Sequence, residues 1–237
     1  MSSRVNPADH RALDDKLRAL AEFAAGAGHE LNNPVATISG YVQQLLPGER
    51  DPDRILALQT IGAQALRIRD MIGDLMLFAR PPQPSLVPLD LHELAGEVIS
   101  RLAGEARQKN CQVLLKSTGP LPVQGDPAHT RTLFSAVTRN AIEAAGGGGQ
   151  VVLEGSQILH EGRPSARFVW SDTGRGLQAQ ELEHLFDPFF SGRQAGRGLG
   201  FGLAKAWRIA TLHKALLRVT SPAGESVVLT LIWPLDS

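Results

Sequence analysis

Two long stretches near the N-terminus repeat apolar residues at helical spacing. The first series runs from residue 13 to 45 and the second from residue 55 to 78. A proline, glycine and charged run at 47–52 separates them and is typical of a turn. The pattern predicts two helices joined as a hairpin, with an apolar stripe too wide for one hairpin to bury. Dimerisation into a four-helix bundle would bury it, and packing on another domain is the alternative.

A proline-rich segment follows the second helical pattern. Pro81, Pro82, Pro84 and Pro88 stiffen this part of the chain and cannot continue a helix. We therefore expect an all-α hairpin domain over residues 1–80, a linker over 81–88 and a second domain over 89–237.

Beyond the linker, helical and strand patterns alternate. Helices are expected near 90–109, 127–146, 178–186 and 200–213, and strands near 111–117, 150–159, 166–172, 215–220 and 226–233. The last two strands should form a hairpin. The order predicts an α/β sandwich with one mixed sheet and helices on one face, so the chain as a whole is of the α+β class.

Composition narrows the choice of function. The chain has 237 residues, of which 43% are apolar, and its 24 basic and 24 acidic residues cancel. A net charge near zero argues against a general electrostatic grip on nucleic acid or anionic lipid. No run of 18 apolar residues occurs, so no membrane segment is expected in this chain. The single cysteine, Cys111, excludes an intrachain disulfide and fits a reducing, cytoplasmic location.

The run His29-Glu30-Leu31-Asn32-Asn33-Pro34 is an unusual polar set inside a predicted helix. Residues 29 and 33 are four apart and share one helix face, which Glu30 flanks. Proline has no N–H, so the helix should bend at residue 34. The set offers a nucleophile, a base and a positioning amide, whereas His29 alone would more simply be a structural helical histidine.

Two polar signals in the second domain fit a nucleotide site. On a predicted amphipathic helix, Asn140 offers an amide oxygen that suits Mg²⁺, with Arg139 and Glu143 close by. An exposed helical asparagine is the simpler alternative. After a predicted strand, Asp172-Thr173-Gly174-Arg175-Gly176 combines a carboxylate, able to accept a hydrogen bond from adenine, with glycines that let the backbone approach a ligand. A plain turn is the alternative there.

Two further signals follow in the chain. An aromatic run, 185–190, would anchor a mobile loop or simply pack in the core. A glycine-rich segment then opens a helix, where backbone N–H groups can cradle phosphate. The residues expected to take part are Phe189, Arg193, Arg197, Gly198, Gly200, Gly202 and Leu203.

In this order, the motifs resemble the sensor histidine kinases of two-component systems, specifically the nitrogen-regulator-like group with the HELNNP segment. The resemblance covers roughly residues 20–235. It implies a dimeric helical hairpin domain followed by a Bergerat-type ATP-binding sandwich. It also implies these roles: His29 as phosphoacceptor, Asn140 as Mg²⁺ ligand, Asp172, Gly174 and Gly176 as adenine contacts, Phe186, Phe189 and Phe190 as the aromatic box, and Gly198, Gly200 and Gly202 as the second glycine box.

The resemblance further implies an activity. ATP would phosphorylate His29, with Glu30 orienting the imidazole and Arg193 or Arg197 meeting the γ-phosphate. The phosphoryl group would pass to an aspartate in the receiver domain of a response regulator, and Asn33 would support phosphatase activity towards that regulator. The implied partners are a second copy of the chain, the regulator, and an upstream sensor domain or protein.

One departure from the family motif keeps an alternative open. The family usually has a second asparagine four residues before the main one, and Ala136 stands there. A degenerate kinase acting as phosphatase or scaffold is therefore the main alternative. An ATPase or serine kinase of the same nucleotide fold would not need His29, and a helical adaptor would not need the glycine segments. The other six histidines show no ligand spacing and are interpreted as structural or exposed.

Overall fold

The computed structural model describes residue 28 and residues 30–79, 81–117, 119–188, 190, 200–221 and 226–235. The chain divides into two compact units, Met1–Pro82 and Gln83–Ser237. In the first unit, residues 30–45 are helical (α1) and continue without interruption through Pro34. A 3-10 turn, Leu46–Gly48, and a short loop lead into α2, Pro52–Ala79.

The two helices of the first unit form a hairpin. Asp51 caps α2, because its carboxylate accepts a hydrogen bond from the backbone N–H of Asp53 at 2.9 Å and Pro52 takes the first helical position. Small residues let the helices approach closely: a Cβ on Gly62 would lie 3.1 Å from Val42, and one on Gly28 would lie 3.0 Å from the sulfur of Met76.

Much of the apolar surface of this hairpin stays exposed in a single chain. Val35, Val42, Ala65 and Ile72 fill the seam between the helices. Large apolar side chains remain at 40–63% exposure on both helices: Leu31, Ile38, Tyr41, Leu45, Leu56, Ile61, Leu66 and Ile68. A hairpin with this much exposed apolar surface is expected to bury it against a partner.

The second unit is an α/β sandwich. Its helices are α3 (Leu91–Gln108), α4 (Pro127–Ala145), α5 (Ala179–Glu183) and α6 (Gly202–Leu212). Its strands are β1 (Val87–Asp90), β2 (Gln112–Ser117), β3 (Pro122–Gly125), β4 (Gln150–His160), β5 (Arg163–Asp172), β6 (Leu216–Thr220) and β7 (Val228–Pro234).

Five of these strands form the main sheet in the order β2-β4-β5-β7-β6. The β2–β4 pair is parallel and the other pairs are antiparallel, so the predicted mixed sheet and its terminal β6–β7 hairpin are confirmed. Helices α3, α4 and α6 pack on the sheet. The buried side chains alternate along the strands, as in Ala166, Phe168 and Trp170 of β5, so the core lies on one face.

Two short strands were not predicted from the sequence pattern. Strands β1 and β3 pair antiparallel as a separate two-stranded sheet, with Leu89 opposite Val123. Each has four residues and each contains a proline, so neither shows the alternation that predicts a strand. Val87 and Pro88, at the end of the expected linker, belong to β1.

A cluster of aromatic rings fastens α4 to β5. The Phe134 ring lies 5.0 Å from both Phe168 and Trp170 in edge-to-face contacts. The indole N–H of Trp170 donates to the hydroxyl of Thr138 at 3.0 Å, and both residues are buried. This hydrogen bond satisfies the only polar hydrogen of a fully buried indole.

Replacing Thr138 with valine should therefore destabilise the second unit by about 1–3 kcal/mol, because the indole N–H of Trp170 loses its acceptor in the core. Urea unfolding followed by tryptophan fluorescence measures the change. Thr132→Val is the matched control: its hydroxyl only bonds the Ala128 carbonyl within the same helix, in a partly exposed position. Equal losses in the two variants would contradict this account.

Candidate nucleotide-binding site

One face of α4 is turned away from the core and carries the polar candidate. Residues 136, 140 and 144 follow one another at the spacing of a helix turn and are half-buried, whereas Val137 and Ala141 are buried in the core. No described residue hydrogen-bonds the amide of Asn140. An available amide oxygen on a half-buried helix face is a suitable ligand for a hard cation.

The end of β5 packs against the last turn of this helix. Asp172 is 5% exposed, and one of its oxygens accepts a hydrogen bond from the backbone N–H of Gly174 at 2.8 Å. A Cβ on Gly174 would lie 2.6 Å from the carbonyl oxygen of Ala144. Only glycine fits between these groups, so the turn after β5 and the Asn140 face of α4 lie together.

Further contacts position the turn after β5. The hydroxyl of Thr173 accepts from the backbone N–H of Gln150 at 2.9 Å, and the N–H of Thr173 donates to the Gln150 carbonyl at 3.0 Å. Gly176 has a φ of +74°, a conformation that favours glycine. No sequence pattern indicated a role for Thr173, because its contact joins residues 23 positions apart.

The loop beyond Gly176 is held by charge-assisted hydrogen bonds. The carboxylate of Glu181 accepts from the backbone N–H of Gln178 at 2.8 Å and from the guanidinium of Arg175 at 2.7 Å. The Gln178 hydrogen bond and the Arg175 contact together lower the pKa of Glu181. The N–H of Leu177 donates to the hydroxyl of Ser221 at 2.9 Å, which ties this loop to the end of β6.

Gly200 and the start of α6 are the described part of the glycine-rich segment. Gly200 has a φ of +71°, and a Cβ there would collide with the carbonyl oxygen of Phe190. The backbones of Phe190 and Gly200 therefore lie in direct contact. Gly202 begins α6 without a side-chain cap, and Leu203 is buried behind it. A helix start of this kind suits a phosphate group.

The two charged neighbours of Asn140 on α4 form ion pairs with other residues. The guanidinium of Arg139 donates to both oxygens of Glu105 on α3, at 3.1 and 3.0 Å. Glu143 lies 3.9 Å from the ammonium of Lys109. Nucleotide contact by these two residues stays a prediction, and it would require them to leave or share these ion pairs.

Cys111 lies near the carboxylate expected to contact adenine. Burial raises the pKa of its thiol, and the charge of Asp172 raises it further. The nearness of Cys111 to the end of β5 arises because β2 and β4 pair in parallel and β4 pairs with β5.

The phosphoacceptor segment is described in part. Glu30 and Asn33 lie on α1 with exposed side chains, and the carbonyl of Asn33 accepts from the hydroxyl of Thr37 at 3.0 Å. Five predicted site residues lie outside the described residues: His29, Phe189, Arg193, Arg197 and Gly198.

Two family models match the chain, one for each unit. Residues 19–84 match the His Kinase A (phospho-acceptor) domain. Residues 125–237 match the histidine kinase-, DNA gyrase B-, and HSP90-like ATPase. The chain carries the two domains of a two-component histidine kinase. Protein histidine kinases are phosphotransferases, and most of the second unit matches the ATPase model that includes their ATP-binding domain.

Curated histidine kinases are similar over almost the whole chain. Sensor histidine kinase ZraS of Escherichia coli K12 is 27% identical over 240 residues, which cover 100% of this chain and 50% of ZraS. Sporulation kinase C of Bacillus subtilis strain 168 is 29% identical over 224 residues, covering 94% of this chain and 50% of that kinase. The chain therefore spans about half the length of these relatives.

A solved structure shows the same fold. Full-length ShkA, crystallised in complex with AMPPNP, aligns with a TM-score of 0.80 at 22% identity, covering 91% of this chain and 46% of ShkA. Within the described part of this chain, no helix is long and apolar enough to cross a bilayer.

Gly174→Ala should weaken ATP binding by about ten-fold or more, because the new methyl would overlap the Ala144 carbonyl and the Asp172 carboxylate, and such overpacking costs about 1–3 kcal/mol. Titration with a fluorescent ATP analogue measures the change.

Gly104→Ala is the matched control, since a Cβ at this helical glycine meets nothing within 4 Å. It should keep full affinity and add about 0.5–1 kcal/mol of stability. Unchanged nucleotide affinity in Gly174→Ala would contradict the placement of the site.

Proposed function

We propose that this chain uses ATP to phosphorylate His29 and then passes the phosphoryl group to an aspartate of a response regulator. The observation that supports this most strongly is the corner where the Asn140 face of α4 meets the Asp172–Gly174 turn. It lies in a chain that also matches the phosphoacceptor domain. We further assign the chain to the nitrogen-regulator-like subgroup, on its HELNNP segment.

The nucleotide has suitable contacts in the second unit. The carboxylate of Asp172 would accept a hydrogen bond from the exocyclic amine of adenine, and Gly174 and Gly176 would let the backbone approach the base. The start of α6 at Gly202 would face the phosphates. Arg193 and Arg197 would add positive charge at the γ-phosphate.

Magnesium fits the donor chemistry of α4. Mg²⁺ takes few protein ligands and completes its shell with phosphate oxygens and water, so the single available amide of Asn140 is a reasonable anchor. Bound there, the ion would neutralise charge on the phosphates. Ala136 lies one helix turn before Asn140 on the same face and offers no ligand.

His29 is the proposed nucleophile. A neutral imidazole nitrogen would attack the γ-phosphorus in line, the bond to the β-phosphate oxygen would break, and ADP would leave. Glu30 would orient the ring or accept its second proton. Transfer of this kind depends mainly on positioning and charge neutralisation.

The proposal includes partners. The exposed apolar side chains of α1 and α2, such as Ile38, Leu45 and Ile61, would be buried in a homodimeric four-helix bundle. The receiver domain of a response regulator would accept the phosphoryl group, and Asn33 would orient a water for its removal. An upstream sensor domain or protein would supply the signal, and the reaction would take place in the cytoplasm.

A phosphatase or scaffold without kinase activity is the second candidate, and Ala136 is the observation that favours it. With alanine there, the Asn140 face of α4 has no second amide for metal or phosphate. Such a protein would bind nucleotide yet leave His29 unlabelled.

Incubation with γ-labelled ATP and Mg²⁺ should label the wild-type chain with acid-labile, alkali-stable phosphate. His29→Gln should remove the label completely, because the nucleophile is gone, while His160→Gln at the end of β4 should label normally. Labelled phosphate that persists in His29→Gln would exclude this residue as the acceptor. Binding of ATP without any label would favour the second candidate.

Asn33→Ala should reduce dephosphorylation of the phosphorylated regulator by about ten-fold or more, as expected when a positioning group for water is removed, and should leave labelling of His29 close to normal. Loss of phosphate from the regulator is followed over time. Gln43→Ala changes another exposed amide on the same helix and is the control. A regulator that loses phosphate equally fast with all three proteins would remove this role from Asn33.

A further inference from the structure

A buried histidine joins the end of α6 to the start of α4. His213 follows the last turn of α6 and is 7% exposed. Its Nε2 accepts a hydrogen bond from the backbone N–H of Asp126 at 3.1 Å, and its Nδ1 lies 2.8 Å from the carbonyl oxygen of Ile209. We call Asp126, Ile209 and His213 the helix clasp.

The partners determine the protonation state of His213. The N–H of Asp126 can only donate, so Nε2 must carry a lone pair. The carbonyl of Ile209 can only accept, so Nδ1 must carry the hydrogen. The clasp therefore requires a neutral imidazole, and protonation of Nε2 would set two donors against each other.

Asp126 connects the clasp to two other parts of the domain. One carboxylate oxygen caps α4 by accepting from the N–H groups of Ala128 and His129, at 2.9 and 3.0 Å. The other accepts from the N–H of Ser85, ahead of β1, at 2.9 Å. A single residue thus fixes the start of α4, the approach to β1 and the end of α6.

The two helices joined by the clasp also carry the candidate site. They pack against each other, and since the start of α4 meets the end of α6, they run in opposite directions. The 11 residues of α6 span about 16 Å. Counting the same distance from Asp126 along α4 reaches about residue 137, within one turn of Asn140, so Gly202 and Asn140 lie at the far end of the same helix pair.

We propose that neutral His213 is a positioning residue for the nucleotide site. Through Asp126 and Ile209 it holds α4 and α6 in register, and so sets the separation between Asn140 and the start of α6, where ATP would bind. The inference rests on the proposed function, because it concerns the affinity of that site.

The electrostatic surroundings keep His213 neutral. Burial lowers its pKa below the ordinary value of 6.5, and the His129 ring, 5.6 Å away, lowers it further. The Ile209 hydrogen bond and the charge of Asp126 oppose this without reversing it. Trp233, the third ring at 4.9 Å, carries no charge. Although burial acts against it, hydrogen bonds from His129 and Ser85 lower the pKa of Asp126.

The sign of the pH effect follows from this shift. With its folded-state pKa below the unfolded value, His213 binds a proton more readily when the clasp is open. The stability that neutral His213 gives to the clasp is complete above about pH 6.5 and is lost as the pH falls through the lowered folded-state pKa. Acidification should therefore loosen the helix pair and weaken nucleotide binding.

The test compares four versions of this chain: wild type, His213→Gln, His213→Phe and the control His160→Gln. The dissociation constant of a non-hydrolysable ATP analogue with Mg²⁺ is measured at about pH 8 and about pH 5. Titration of the nucleotide's own phosphate is common to all four proteins and cancels in the ratio of their affinities.

Glutamine supplies an acceptor that does not titrate. His213→Gln should bind close to wild type at the higher pH and lose up to about five-fold less affinity on acidification, the equivalent of one hydrogen bond. His213→Phe should bind about five-fold more weakly at the higher pH, because Asp126 loses its acceptor. His160→Gln should follow the wild type at both values.

Tryptophan emission gives a second reading. A protonated imidazole quenches a neighbouring indole, so wild-type emission should fall on acidification by more than that of His213→Gln. Equal pH dependence of affinity in wild type and His213→Gln would overturn the inference, even if His213→Phe does not fold. Absence of nucleotide binding in every variant would instead overturn the proposed function, and the inference with it.

Discussion

The contact between α4 and β5 determines where the candidate site lies. Phe134 and Thr138 hold this helix against Phe168 and Trp170, with the aromatic rings 5.0 Å apart and the indole N–H satisfied. Because these residues are buried, a shift of the helix would leave either a void or an unpaired polar hydrogen in the core. About two turns beyond Phe134, the same helix presents Asn140 on its outer side. Strand β5 ends at Asp172, two residues after Trp170.

The glycines at this corner are explained by that packing. Gly174 is enclosed by the carbonyl of Ala144 and the carboxylate of Asp172, and Gly200 is enclosed by the backbone of Phe190. In each case the neighbour is backbone or a hydrogen-bonded side chain, which cannot move aside cheaply. The requirement for glycine therefore comes first from the protein's own packing, and access for a nucleotide follows from the same absence of side chains.

The sequence predicts the elements of this fold better than their contacts. The sequence pattern indicated all five strands of the main sheet, which are 5 to 11 residues long. Strands β1 and β3 could not be predicted in this way, since their extended conformation depends on pairing between residues more than 30 positions apart. The candidate site follows the same division. Residue types and order indicated Asn140, Asp172 and Gly174, whereas the pairing of Arg139 with Glu105 depends on how α3 lies beside α4.

His213 shows why the remaining contacts could not be predicted from a sequence pattern. His213 follows a helix and has no ligand spacing, so the sequence indicated only a structural or exposed histidine. Its importance arises from three partners that only folding assembles: a carbonyl four residues earlier, an N–H 87 residues away and a second imidazole on α4. ATP is expected to bind at one end of the α4–α6 pair, while the clasp at His213 constrains the geometry of the two helices at the other end. A titratable acceptor at the distant end can then change the affinity of the site without contacting the ligand, because the two helices are coupled along their packed length.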